Sequence, residues 1–166
     1  MLRWLTPINA WISRICMTLA VIGLFGIVIV VSMQVFGRYV LNDTPSWAES
    51  TALVLVLYVT MFGAAVGVRD AGHIGLESLV GMMLPEDKQL WVEIPIHLLV
   101  GVFGALMAWH AGELGLSVAP YKIPTLGISE GFNHLSLVIA GVLITLFSIE
   151  HIIALIEGKK VEPAWH

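Results

Sequence analysis

Aspartate, glutamate, lysine and arginine are missing from four long stretches of this chain: residues 15–37, 50–68, 94–112 and 131–149. At ~1.5 Å per residue, a helix of ~20 residues crosses a hydrocarbon core of ~30 Å, so each stretch is long enough to span a bilayer. Charged residues make up 12% of the chain against about 25% in a soluble domain. Hydrophobic residues make up 58%, and the mean hydropathy is +0.90. A soluble helical bundle would need polar stripes along these runs. The expected fold is therefore an all-α integral membrane protein with four transmembrane helices plus one or two interfacial amphipathic helices.

Other absences narrow the function. Cys16 is the one cysteine, so no intrachain disulfide or cysteine metal cluster can form, and no bound cofactor or metal is expected. The net charge is −4, and no block of like charge exceeds two residues, which leaves no basic patch for nucleic acid. No ionisable residue falls near the middle of a span, where an ion-coupled carrier usually places its relay group. The chain alone is thus a poor candidate for a transport pathway. Ser32-Met33-Gln34-Val35 offers no small-residue cleavage site after the first run, which is expected to stay in the membrane.

What lies between the spans sets topology. Arg3, Arg14, Arg69, Lys88, Lys159 and Lys160 fall on one side and only Arg38 and Lys122 on the other, which puts both termini in the cytoplasm. Before the first span, Trp4, Ile8, Trp11, Ile12 and Ile15 share a helical face opposite Thr6, Asn9 and Ser13. With Thr6 as N-cap and Pro7 at the first helical position, residues 1–14 are expected to lie along the membrane surface. A second interfacial helix is expected over 73–84, where Leu76, Leu79, Val80 and Met83 share a face, and residues 150–166 form a cytoplasmic tail. Pro120, Pro124 and Gly127 keep 113–130 from being one helix, and Ser129 can cap the fourth span. Tyr39, Trp47, Trp91, Trp109 and Tyr121 fall near span ends, where interfacial aromatics belong.

Membrane helices associate through small residues and polar pairs. Gly63 and Gly67, Gly101 and Ala105, and Gly104 and Ala108 stand four apart, so Gly63, Gly67, Gly101, Ala105 and Ala108 are candidate helix contacts, within this chain or with another. Arg38 and Glu49 could close the first hairpin as a salt bridge. Arg69 and Glu93 stand in the same relation on the inner side, with Asp70 competing for the arginine. His97, His110, His134 and His151 could in principle ligate two haems between the third and fourth helices, as in a four-helix b-type cytochrome-like electron carrier. At ~100° per residue, however, His97 and His110 lie about 140° apart and His134 and His151 about 100° apart, so neither helix presents both imidazoles on one face.

The most specific stretch runs from Gln34-Val35-Phe36-Gly37-Arg38-Tyr39-Val40-Leu41-Asn42 through Trp47-Ala48-Glu49 and Gly63-Ala64-Ala65 to Arg69 and His73-Ile74. In order and spacing it resembles the small permease subunit of tripartite ATP-independent periplasmic (TRAP) transporters, the DctQ-like family, and the similarity extends weakly to Leu126-Gly127-Ile128-Ser129. Here Glu49 is followed by Ser50, Thr51, Ala52 and Leu53 in place of the usual Glu-Leu-Ala-Arg run, and Glu77 stands for the usual aspartate. The resemblance implies a non-enzymatic subunit of a sodium-coupled system for organic acids such as dicarboxylates or sialic acid, in a bacterial inner membrane. Its implied partners are a large permease subunit, a periplasmic substrate-binding protein and membrane lipid. Arg38, Trp47, Glu49, Arg69 and His73 are the positions it marks for the fold or subunit interface, and it assigns none to catalysis.

Overall fold

The computed structural model describes residues 2–71 and 86–158, together with 161 and 164. The expected interfacial helix at 73–84 and His73 lie outside the described residues. Four helices follow one another: α1, Leu2–Phe36; α2, Ser46–Val66; α3, Glu86–Val118; and α4, Gly131–Ile156. Short π-helical turns extend two of them, π1 (Gly37–Leu41) after α1 and π2 (Gly67–Ala71) after α2. All four helices are long and apolar enough to cross a membrane.

The N-terminal segment from Leu2 is not a helix of its own. α1 continues from Leu2 through residue 14 without a break, with Pro7 inside it. Pro7 is the sixth residue of this helix, so it leaves the Arg3 carbonyl without its i→i−4 donor near the helix start. The amphipathic face is real but turned the other way. Asn9 and Ser13 are buried inside the bundle, while Ile8, Trp11 and Ile15 are exposed. The apolar face is thus the outward one, and the polar side chains turn inward to find partners.

The end of α1 explains part of the sequence stretch that carries the resemblance. Asn42 caps π1 with φ 57°, and its N–H reaches the Gly37 carbonyl. Asparagine is among the few residues that adopt this left-handed conformation readily. A Cβ on Gly37 would meet the Asp43 carbonyl oxygen at 2.7 Å, so only glycine lets the returning chain pass.

The helices pack chiefly as two hairpins, α1 with α2 and α3 with α4, joined by α2 against α4. α4 is the central element: 44% of its most apolar window is buried, against 11% in each other span. Its backbone touches that of α3, where a Cβ added to Gly141 would lie 2.6 Å from the Gly104 carbonyl oxygen and 2.7 Å from the Ala108 nitrogen. A Cβ on Gly101 would meet Ser148 Cβ at 3.2 Å, whereas Ala105 is exposed. A Cβ added to Gly63 or Gly67 would meet nothing within 4 Å among the described residues. The core gathers Cys16, Ala65, Val66, Ala140, Leu143, Ile144 and Phe147.

At the opposite end from the core, residues 119–130 form a compact turn. Ile123 N–H donates to Ile128 O at 2.8 Å, Glu130 N–H to Tyr121 O at 2.9 Å, and Gly127 supplies a φ of 70°. The Ser129 hydroxyl accepts from Gly131 N–H at 3.2 Å and donates to Ala119 O at 2.7 Å, fastening both helix ends. Gly141→Val should lower stability by at least ~1–3 kcal/mol, the usual cost of overpacking, whereas Gly63→Ala should leave the isolated chain unchanged. Reversible unfolding in mixed micelles measures both.

Candidate functional site

Charge is least expected where four elements converge at the Arg14 end of the bundle. The π turn after α2 carries Arg69 and Asp70, both buried, and α4 brings Glu150, which is fully buried. A π turn advances fewer degrees per residue than an α turn, so π2 turns two successive charged side chains toward the interior. Arg69 Nη1 lies 2.5 Å from Asp70 Oδ1. Its Nε and Nη2 reach the two oxygens of Glu150 at 3.2 and 3.4 Å, a two-point grip that a planar guanidinium allows and a lysine does not.

Around this triad the remaining polar groups are fitted. Asn9 Nδ2 donates to Glu150 Oε2 at 2.8 Å, and the Ser13 hydroxyl donates to Asp70 Oδ2. Arg69 Nη2 also reaches the Thr6 carbonyl at 3.4 Å. His151 Nε2 lies 3.0 Å from the Arg69 carbonyl, and its ring stacks face to face on buried His97, 4.6 Å between centroids and 4° between planes. The tail contributes as well: Ala164 N–H donates to Asp70 Oδ1 at 3.1 Å, and its carbonyl accepts from Arg14 Nε at 2.5 Å. One cation thus faces two carboxylates, with α1, α2, α3, α4 and the tail all represented.

The arrangement ties the helices together through buried polar contacts. Ionic groups taken from water cost several kcal/mol each, repaid only when geometry and hydrogen bonds are complete. Completion here requires α1, π2 and α4 to be in one register. The stacked His97 and His151 rings also do not suit a shared haem, whose two axial nitrogens must point at one iron from opposite sides.

The positions singled out from sequence separate into two groups. Arg69 is at the centre of the cluster, held by Asp70 and Glu150. Arg38, Trp47 and Glu49 lie at the other end, exposed, and among the described residues no ion pair joins Arg38 to Glu49. Arg38 is the second residue of π1, and Glu49 sits in the first turn of α2, where a negative charge is favoured by the helix dipole in any case. His110 instead pairs with Glu113 across one turn of α3 at 3.3 Å, both side chains exposed on the helix. Sequence reasoning missed Asn9, Ser13 and Glu150 as members of this site, and it considered His97 and His151 together only as haem ligands. The signals were present: Asn9 and Ser13 are four apart on one helix face, and Glu150-His151 follows directly on a charge-free run.

Comparison with known proteins places this architecture. Residues 27–158 match the family described as "Tripartite ATP-independent periplasmic transporters, DctQ component". The chain is 27% identical over 132 residues to the "Sialic acid TRAP transporter small permease protein SiaQ" of Vibrio cholerae, covering 77% of this chain and 73% of the relative. It is 28% identical over 165 residues to the "Sialic acid TRAP transporter permease protein SiaT" of Haemophilus influenzae, covering 98% of this chain but 25% of that protein. A "Putative TRAP transporter small permease protein" of Haemophilus influenzae is 25% identical over 134 residues, 77% of this chain and 81% of its own length.

Arg69→Met should cost about 3–5 kcal/mol, because two buried carboxylates lose their cation together. Glu150→Gln should cost less, since it leaves one carboxylate facing one guanidinium. Arg38→Met, at an exposed position, should fall within about 0.5 kcal/mol of the parent. Steric-trap or denaturant unfolding in bilayer mimetics checks the order.

Proposed function

The chain belongs to the DctQ family of TRAP transporter components, and from that premise we propose that it is the small, non-enzymatic membrane subunit of a sodium-coupled, binding-protein-dependent transporter for an organic acid. The match to SiaT carries this reading. Almost the whole chain aligns with a quarter of a longer permease polypeptide, while the match to SiaQ is to a separate small permease protein. A unit that is covalently part of a permease in one species must associate with the rest of the permease where it is a separate chain. Two of the relatives are named for sialic acid, so a sialic acid is the first substrate to test and a dicarboxylate the second.

In this reading the chain sits in the bacterial inner membrane with both termini cytoplasmic, and braces a large permease subunit that does the carrying. The interior favours bracing: its charges are spent on one another around Arg69, and its helix pairs are locked by backbone contact at Gly104 and Gly141. The surface available to the partner includes α2, where Gly63 and Gly67 stand open with small residues ready for a second helix. Arg38, Trp47 and Glu49 are exposed at the outer end, beside the turn 119–130, where a periplasmic binding protein would dock. His73 is assigned to the same interface by resemblance alone.

Purification in mild detergent should bring down a large hydrophobic subunit with this chain, and liposomes should take up substrate only when both are present. Gly63→Leu with Gly67→Leu should reduce that co-purification about tenfold, equivalent to ~1.4 kcal/mol, without lowering the melting temperature of the chain itself. Arg38→Ala with Glu49→Ala should likewise weaken assembly or uptake. Uptake by this chain alone would refute the proposal, and so would purification without any large partner.

A further inference from the structure

The outer side of α1 carries a shallow groove of 380 Å³ lined by Trp11, Arg14, Ile15, Thr18 and Leu19. Its floor is apolar. Ile15 and Leu19 are exposed and stand one turn apart in line with Trp11, so the stripe runs from the charged end of the helix into its charge-free run. Its head is Arg14, the last charge before that run, which extends from 15 to 37. Over those residues a helix rises about 34 Å, close to the thickness of a hydrocarbon core, so Arg14 is level with the phosphates of one leaflet.

The state of the guanidinium decides what covers the groove. Arg14 differs from Arg69 in having no carboxylate partner among the described residues. Its Nε is taken by the Ala164 carbonyl at 2.5 Å, which fixes the side chain, while the two Nη groups keep four N–H donors. Thr18 gives its hydroxyl proton to the Arg14 carbonyl at 2.8 Å, so it does not compete for a ligand. The exposed Trp11 adds an indole N–H donor one turn away. A fixed cation at phosphate depth, above an apolar track leading into the bilayer, is complementary to a phosphodiester headgroup with an acyl chain below it.

We propose that Arg14 and Trp11 form a binding site for one anionic phospholipid, whose phosphate pairs with the guanidinium and whose acyl chain lies along Ile15 and Leu19. The site is independent of which substrate the transporter carries. It places a lipid on a face of α1 that the other described residues leave exposed.

The full-length chain, as purified in mild detergent, is titrated with phosphatidylglycerol or phosphatidylcholine and the bound lipid is counted by native mass spectrometry. One phosphatidylglycerol should saturate at a concentration about fivefold below phosphatidylcholine, the attraction that one basic residue has for an anionic lipid. Arg14→Gln should abolish that preference and Arg14→Lys should keep most of it. Because Arg14 also holds the tail, Trp11→Ala with Leu19→Asn provides a second test that leaves the guanidinium in place, and it should weaken binding of phosphatidylglycerol. Lys122→Gln, a charge change at the far end, should have no effect. Equal retention of the two lipids by the parent chain would overturn the proposal. So would unaltered preference in a folded Arg14→Gln variant, and so would loss of the partner subunit with no change in bound lipid, which would mark the groove as a protein contact.

Discussion

A single guanidinium, that of Arg69, is held between two carboxylates out of contact with water, and the Arg14 end of the bundle depends on it. Asp70 comes from its own turn and Glu150 from α4, so the pairing joins two elements far apart in sequence. Asn9 and Ser13 extend the same network to α1. In a bilayer, apolar side chains gain little by leaving lipid for another helix, so packing of small residues and polar contacts must select the arrangement. The two mechanisms are divided along the bundle here. Small-residue contact at Gly104 and Gly141 joins α3 to α4 near their middles, and the ionic network fastens α1, α2 and α4 at one end.

That division leaves the outside of the molecule uncommitted. Most side chains along α1 are exposed, and α2 shows an open small-residue face at Gly63 and Gly67. A helix bundle whose buried charges pair with one another, and whose outward faces are mostly apolar or small, is suited to contact with lipid and with another membrane protein. It is less suited to moving ions through itself, because its buried charges already satisfy one another. The family makes the chain a TRAP transporter component, and this packing favours the supporting role proposed for it.

Much of this was legible in the sequence. Charge exclusion located all four spans, because the cost of burying a charge in hydrocarbon is large and local. The stretch around Gly37 and Asn42 was legible as a family pattern, and the structure supplies its physical cause in a left-handed cap and a close chain return. The N-terminal segment was misread for an instructive reason. Its polar face of Asn9 and Ser13 was assigned to water by analogy with surface helices, but it is the inner face, and its partners Asp70 and Glu150 are distant in sequence. Likewise Arg38 and Glu49 were paired by adjacency at the outer hairpin, where neither needs the other because both reach solvent. Pairing among buried groups depends on tertiary register, which helical periodicity within one segment does not contain.

The direct test of the account is a double-mutant cycle on Arg69 and Glu150, with unfolding free energies measured in a bilayer mimetic. If one buried ion pair holds α2 to α4, Arg69→Met and Glu150→Leu together should cost less than the sum of the two single changes, by about 1–3 kcal/mol. Strict additivity would show that the two side chains do not depend on each other, and would contradict the central role given to Arg69.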